Sequence, residues 1–165
     1  MQIGVNTLIL ARMPGSRNTD RSLLTECALF DLQRASRVVS SLYNEKLRGC
    51  GITIAQFTLM RSIEALQPVG MARLAKAMAM DRTSVTRVIE PLVARGFVTA
   101  SVGDDRRVRN LELTAKGSAT VRRARTRWEA AQRQLLGVLG DREWLALRKS
   151  LRATVRSVRE LETAE

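Results

Sequence analysis

The chain of 165 residues contains no histidine, and this absence excludes several kinds of active site. Serine–histidine and cysteine–histidine catalysis, haem-type ligation and the usual zinc sites all need an imidazole. The carboxylates are scattered, and no glycine-rich loop that could hold a phosphate follows a strand pattern. We therefore expect that the chain is not an enzyme and has no cofactor or metal site.

Aromatic residues, cysteines and long apolar runs are also scarce. Aromatics make up 4% of the chain, too few for the stacking platforms that bind single-stranded nucleic acid. The two cysteines, Cys27 and Cys50, do not suggest a disulfide framework. No apolar run approaches the roughly 20 residues of a membrane helix, and the start of the chain is a poor signal peptide. These features predict a soluble, cytoplasmic protein.

Positive charge is abundant. The chain has 24 arginines and 4 lysines against 16 acidic residues, a formal net charge of +12. Basic residues exceed acidic ones in each of the regions 1–70, 71–117 and 118–165, so the excess is not confined to a basic tail. A charge excess of this size on folded elements favours a polyanionic partner.

Long amphipathic helices are predicted near both ends of the chain. Residues 1–20 show no sustained period and are interpreted as an arm. Apolar residues then recur at steps of three and four from about Ser22 to Leu47, where Gly49 and Gly51 follow. The same spacing runs from Thr114 to Val138, and again after Gly140 in a last helix. Seams of this kind suit antiparallel packing, either within one chain or across a dimer.

Shorter helices are predicted in the middle of the chain. Thr53 and Gln56 form a capping-box pattern at the start of one helix, and residues 67–70 end it. A short helix follows at about residues 71–78. After a tight turn, Asp81 is the candidate N-cap of a fourth helix, residues 82–95. Pro91 lies inside this helix, which we expect to be kinked but continuous because Leu92 keeps the apolar period. The predicted inner faces are Phe57, Met60, Ile63 and Leu66 on the helix that Thr53 caps, and Val85, Ile89 and Leu92 on the fourth helix.

A β-hairpin is predicted after the fourth helix. Alternating residues 97–102 and 108–113 flank a turn that contains Gly103, Asp104 and Asp105. Two helices joined by a tight turn and followed by a hairpin are the order of elements in a helix-turn-helix with a wing. The fold class expected is mostly α, with a small β-hairpin wing.

The outer face of the fourth helix carries the most specific pattern. Arginine can bind guanine with two hydrogen bonds in the major groove, and threonine methyl groups can contact thymine. The alternative is an ordinary solvated polar face, which every surface helix has. The candidate DNA-binding residues on this helix are Arg82, Thr83, Ser84, Thr86 and Arg87.

The tip of the hairpin is the second candidate contact. Arg106, Arg107 and Arg109 stand beside two acidic residues, and Asp105 can orient Arg107 across the turn. An arginine held in this way can enter the minor groove, where negative potential is concentrated. A self-neutralising surface turn is the alternative.

The residues from Gly51 to Gly117 resemble the MarR family of winged-helix regulators. The most diagnostic segments are DRTSVTRVIEPLVARG, the Asp-Arg-Arg tip of the hairpin and the closing LTAKG, and LQRASRVVSSLYNEKL resembles the first helix of the family. The resemblance implies a homodimer that places two recognition helices in successive major grooves of a pseudo-palindromic operator. One departure is that Val102, Gly103 and Asp104 replace the first half of the family's D-x-R-D-x-R wing pattern.

The resemblance also implies a domain organisation. Residues 1–20 would form the N-terminal arm. Residues 21–50 and 114–165 would form the helical dimerisation region, and residues 51–113 the winged helix-turn-helix DNA-binding domain. Asp105, Arg106 and Arg107 would then belong to the DNA-binding surface of the wing.

A ligand site is a further implication of the resemblance, since family members commonly bind phenolic or other aromatic carboxylates. Arg34 and Arg37 could pair with an anionic ligand. The alternative is that Phe57 and Met60 are plain core residues and that the two arginines lie on a solvated face. The candidate ligand-binding residues are Phe30, Arg34, Arg37, Tyr43, Phe57 and Met60.

The function predicted is that of a regulator, usually a repressor in this family, released from its operator by a small anionic aromatic ligand. One alternative is a redox-sensing regulator that acts through Cys27. Its nearest charged neighbours, Glu26 and Asp31, are acidic and oppose formation of a thiolate. Another alternative is an architectural protein that binds DNA with little sequence preference, which the net charge of +12 would also fit.

Overall fold

The computed structural model describes residues 27–102 and 109–163. The predicted arm and residues 22–26 of the first predicted helix lie outside these ranges. The chain divides into two compact units, with the boundary between Val38 and Val39. The described part of the first unit is the N-terminal half of a helix, on which Leu29, Leu32 and Val38 are exposed.

Helices make up most of the described residues. The predicted end of the first helix at Leu47 is confirmed: a 3₁₀ turn, Arg48–Cys50, follows it, and Gly51 then adopts a left-handed conformation with a φ of 67°. The described α-helices, in chain order, are α1 (Ala28–Leu47), α2 (Ile54–Leu66), α3 (Met71–Met78), α4 (Arg82–Ala94), α5 (Ala115–Leu139) and α6 (Asp141–Thr163).

The sheet has one strand more than the sequence predicts. The predicted hairpin is confirmed as β2 (Val98–Val102) and β3 (Arg109–Leu113), which pair antiparallel from Val98 opposite Leu113 to Val102 opposite Arg109. The two-residue strand β1 (Val69–Gly70) precedes both in the chain and is antiparallel to β3 on its other side. The sequence treats residues 67–70 only as a helix break, because two residues cannot show a period of two.

The core of the second unit lies where α2, α3, α4, α5 and the sheet meet. Met60, Ile63, Leu74, Val85 and Leu92 are fully enclosed there. These side chains fix the three helices of residues 54–94 against one another. The predicted inward faces of α2 and α4 are therefore confirmed.

The apolar face of α6 is left open in the single chain. Leu147, Leu151, Val158 and Leu161 all lie on the predicted seam, and each is more than one third exposed. The helix is nevertheless held to the preceding one, since α5 and α6 are in contact and Trp144 is half-buried. None of the described helices is both long enough and apolar enough to cross a membrane.

Candidate nucleic-acid interface

Helix α4 begins at a side-chain cap. Asp81 is the N-cap residue, as predicted, and its carboxylate accepts hydrogen bonds from the Ser84 amide at 2.8 Å and the Ser84 hydroxyl at 2.6 Å. These bonds to Ser84 favour the charged carboxylate and lower the pKa of Asp81. The cap fixes the first turn of the helix, which carries Arg82 and Thr83.

The five candidate residues on α4 differ in what they can offer to DNA. Arg82, Thr83 and Arg87 are exposed, and Ser84 and Thr86 are half-buried. Thr86 donates its hydroxyl proton to the Arg82 carbonyl at 2.8 Å, as Ser84 does to the cap. Both hydroxyl oxygens can still accept a hydrogen bond, and the Thr86 methyl group can contact a base.

The buried side of α4 holds the exposed side in place. Val85, Ile89 and Leu92 are buried, and the helix runs through Pro91 without a break, as predicted. The helix ends one residue earlier than predicted, at Ala94. Gly96 follows it with a φ of 68° and donates its amide to the Val93 carbonyl.

The end of α4 is a Schellman motif. The Phe97 amide bonds to the Leu92 carbonyl at 2.9 Å, and the Gly96 amide completes the pair of bonds that defines this ending. The chain therefore leaves α4 in a fixed direction and enters β2 at once. Asp105, Arg106 and Arg107, the candidate contacts of the wing, lie outside the described residues.

The six candidate ligand-binding residues fall in two units. Phe30, Arg34 and Arg37 belong to the first unit, in which both arginines are exposed and Phe30 is half-buried. Tyr43, Phe57 and Met60 belong to the second. Phe57 and Met60 are part of the core, which is the alternative interpretation of their role. Tyr43 donates a hydrogen bond from its hydroxyl to the Gln132 side chain.

An open cleft beside Phe57 was not predicted. Phe57 and Trp128 stack with ring centroids 6.1 Å apart, and Arg61 and Arg125 line the same cleft of about 390 Å³. Each arginine is paired with an acid on its own helix, Arg61 with Glu64 and Arg125 with Glu129. In the sequence, the two ion pairs are ordinary pairs within single helices. No pattern in the sequence indicates that the two helices bring Arg61 and Arg125 to the same cleft.

The two cysteines have different surroundings. Cys27 is exposed, and Cys50 is buried at the end of the 3₁₀ turn with 4% of its surface accessible. Both are free thiols in the structure. Cys50 belongs to the hydrophobic core, which the sequence did not indicate.

Comparisons with known proteins agree with this arrangement. The model of the MarR family matches residues 52–108. The transcriptional regulator MosR of M. tuberculosis, solved in complex with DNA, is 30% identical with a TM-score of 0.76, and the match covers 82% of this chain and 98% of that one. BpsR of Bordetella bronchiseptica is 26% identical, covering 79% and 94% of the two chains with a TM-score of 0.72.

The ligand-free MarR protein of E. coli shares the fold, with a TM-score of 0.63 at 24% identity over 78% of this chain and 96% of that one. The helix-turn-helix of α3 and α4, the sheet behind it and the two long helices α5 and α6 are all present in this chain. Together with the 30% identity to MosR over most of both chains, they show that the chain belongs to the MarR family of winged-helix transcriptional regulators.

Proposed function

We propose that the chain acts as a homodimeric repressor that binds a pseudo-palindromic operator in duplex DNA. The observation that carries this proposal is the exposed first half of α4, where Arg82, Thr83 and Arg87 project from a helix with a fixed start and a buried inner side. The similarity to MosR supports it, because that regulator was solved in complex with DNA.

The dimensions of α4 suit the major groove. An α-helix with its side chains is about 10–12 Å across, and the groove is about 12 Å wide. Thr83 and Arg87 are four residues apart and share one face of the helix, so both can reach base edges. Arg82 lies in the first turn, where a phosphate is also attracted by the helix dipole. In the described part of the chain, neither Arg82 nor Arg87 has an ion-pair partner.

The wing supplies a second contact in this proposal. Arg107, oriented by Asp105, would enter the minor groove beside the recognition helix, with Arg106 close to the backbone. Arg106 and Arg107 contribute to the net charge of +12. The affinity is therefore expected to fall steeply with salt.

The open face of α6 supports a dimer. Contiguous apolar surface of this kind on a single chain is typical of an interface. A second copy that covers Leu147, Leu151 and Val158 would form an isologous contact, in which the same surface serves both chains. Two recognition helices related by a two-fold axis then require two half-sites of inverted sequence.

The proposed function also implies a location. A regulator that binds the chromosome works in the cytoplasm of a bacterium, because the chromosome lies there.

We also propose that a small aromatic acid weakens operator binding. The DNA binding of the similar protein BpsR is regulated by 6-hydroxynicotinic acid. In this chain the cleft offers the partly exposed ring of Trp128, which stacks on the buried Phe57, and two guanidinium groups. Its ion pairs are partly exposed, and pairs of that kind contribute only about 0–1 kcal/mol, so a carboxylate can compete for Arg61 or Arg125. Arg34 and Arg37 remain the candidates that the sequence provides for binding the carboxylate.

Selection of bound duplexes from a random pool, followed by footprinting, tests the DNA-binding proposal. A repressor of this kind selects one palindrome and protects a single short site. Continuous coating of unrelated DNA would contradict the proposal and favour an architectural protein. Loss of binding in peroxide that Cys27→Ser prevents would favour the redox-sensing alternative.

Titration of the operator complex with aromatic carboxylates tests the ligand proposal. A hundredfold loss of DNA affinity requires about 2.7 kcal/mol of coupling between ligand and operator. The double variant Arg61→Ala, Arg125→Ala should lose this response if the cleft holds the acid. The double variant Arg34→Ala, Arg37→Ala should lose the response if these two arginines bind the acid. Unchanged responses in both double variants would contradict the proposed ligand contacts.

A further inference from the structure

The C-terminal end of α4 is joined to the N-terminal end of α5 by a compact set of contacts, here called the junction, formed by residues 95–97 and 114–117. Lys116 donates from its ammonium group to the Arg95 carbonyl at 2.8 Å. Thr114 donates its hydroxyl to the Gly96 carbonyl at 2.7 Å and its amide to the Phe97 carbonyl at 3.1 Å. The recognition helix is thus tied directly to the first turn of the long helix.

Lys116 is placed against the electrostatic preference of its own helix. It occupies the first turn of α5, where the helix dipole disfavours a cation. The same ammonium group lies at the C-terminal end of α4, where the dipole and the carbonyl of Arg95 both favour a cation. The charge is therefore positioned to stabilise the end of the recognition helix and not the start of its own helix.

Two cationic groups lie close to the Phe97 ring. The Arg95 guanidinium is 4.6 Å from the centre of the ring, and the Lys116 ammonium is 5.1 Å from it. Arg95 also donates to the Gly51 carbonyl at 2.7 Å, just before α2 begins. The buried Phe97 ring therefore has a cation from each side of the junction against it.

We propose that Lys116 is a positioning residue for DNA recognition, because its bond to the Arg95 carbonyl sets the angle between α4 and α5. The inference rests on the proposed function in one respect, which is that α4 contacts DNA. The angle itself is a property of the single chain and can be measured without DNA.

The test compares Lys116→Met with Lys116→Arg and with Arg122→Met. Arginine can still donate to the Arg95 carbonyl, and Arg122→Met removes the same charge from an exposed position on α5. Lys116→Met should weaken binding to the selected operator by about tenfold or more, the effect expected when a charge-assisted hydrogen bond that orients the helix is removed. Lys116→Arg and Arg122→Met should stay within about threefold of the parent.

A distance measurement distinguishes this inference from the proposed function. Spin labels are attached at Glu90→Cys on α4 and Arg133→Cys on α5, and the distance between them reports the angle between the two helices. The Cys27→Ser background removes the exposed native thiol, and dilution with unlabelled protein limits the measurement to label pairs within one chain. Lys116→Met should broaden or shift the distribution, and Arg122→Met should leave it unchanged. If the distribution changes but the parent binds no operator, the proposed function fails and the junction stands. An unchanged distribution, or full operator affinity in Lys116→Met, would overturn the inference.

Discussion

Gly117 and Phe97 lie so close together that no side chain fits between them. A Cβ atom built on Gly117 would stand 2.0 Å from the carbonyl oxygen of Phe97. Glycine is a poor helix former, and Gly117 lies in the first turn of α5. Its presence allows α5 to approach the end of α4 closely enough for the Thr114 and Lys116 bonds to form.

The first prediction follows from this contact. Gly117→Ala should destabilise the protein by about 1–3 kcal/mol, because the backbone must move to admit the methyl group. Gly137→Ala in the same helix is the matched control, since nothing lies within 4 Å of its Cβ position. The control should be neutral or stabilising by up to about 1 kcal/mol, as helix propensity requires. Denaturant unfolding measures both values, and equal effects would show that the close approach has no energetic consequence.

The second prediction concerns the cap of α4, the proposed recognition helix. The pKa of Asp81 is lowered by its bonds to Ser84, so the carboxylate stabilises the folded state above its unfolded pKa. That contribution is lost as pH falls through the lower pKa of the folded state. The difference in unfolding free energy between the parent and Asp81→Ala should therefore be largest near neutral pH and shrink in acid, below the ordinary aspartate pKa of about 3.9. A difference that stays constant with pH would contradict the role of the charged cap.

Most elements could be predicted because their determinants are local. The capping box of Thr53 and Gln56 is confirmed, with the Gln56 amide bonded to the Thr53 hydroxyl and the Gln56 side chain to the Thr53 amide. Asp81 as the N-cap and the passage of α4 through Pro91 could be predicted for the same reason, and both are confirmed. Caps and periodicity involve residues within about four positions, so the sequence displays them directly.

Contacts between different elements could not be predicted from the sequence. Leu59 is almost fully buried although it is off the predicted inner face, because α2 is in contact with α4, α5 and the sheet. The bond from Lys116 to Arg95 spans 21 positions, and LTAKG identifies the family without showing what its lysine touches. The strand Val69–Gly70 depends in the same way on its partner β3.

The third prediction uses the single tyrosine of the chain. Burial raises the pKa of Tyr43, whose hydroxyl donates to Gln132. The ultraviolet absorbance of the folded protein should therefore titrate above the ordinary tyrosine value of about 10, and should return to it in denaturant. The contribution of the neutral Tyr43 to the stability of the fold is fully present below the unfolded pKa and is lost as pH rises through the folded pKa. Tyr43→Phe should cost about 0.5–1.5 kcal/mol at neutral pH, and identical titrations in both states would contradict the burial.

The fourth prediction concerns the open face of α6. Leu151→Asp should weaken self-association at least a hundredfold, equivalent to about 2.7 kcal/mol, because a charge would be buried in the proposed seam. Ser150→Asp adds the same charge at a neighbouring exposed position and should change association little. Sedimentation equilibrium measures both constants. A parent protein that is a folded monomer at micromolar concentration would refute the dimer.

The salt dependence of duplex binding tests the role of the positive charge. A dimer that neutralises about 8 phosphates should show a log–log slope near −7 against salt concentration. Replacement of an arginine that binds a phosphate by alanine reduces the magnitude of this slope by about one for each phosphate that is no longer neutralised. A slope near zero would mean that the net charge of +12 serves another purpose.

The assignment of α4 as the recognition helix is tested most directly by the sequence preference of Arg87→Ala on the selected operator, measured beside Arg133→Ala. Both variants remove one exposed arginine, but Arg87 lies on the proposed recognition face and Arg133 on α5. Arg87→Ala should lose about 1–3 kcal/mol of binding free energy and relax the preference at one base pair in each half-site. Arg133→Ala should keep both affinity and preference. An unchanged base preference in Arg87→Ala would contradict the assignment.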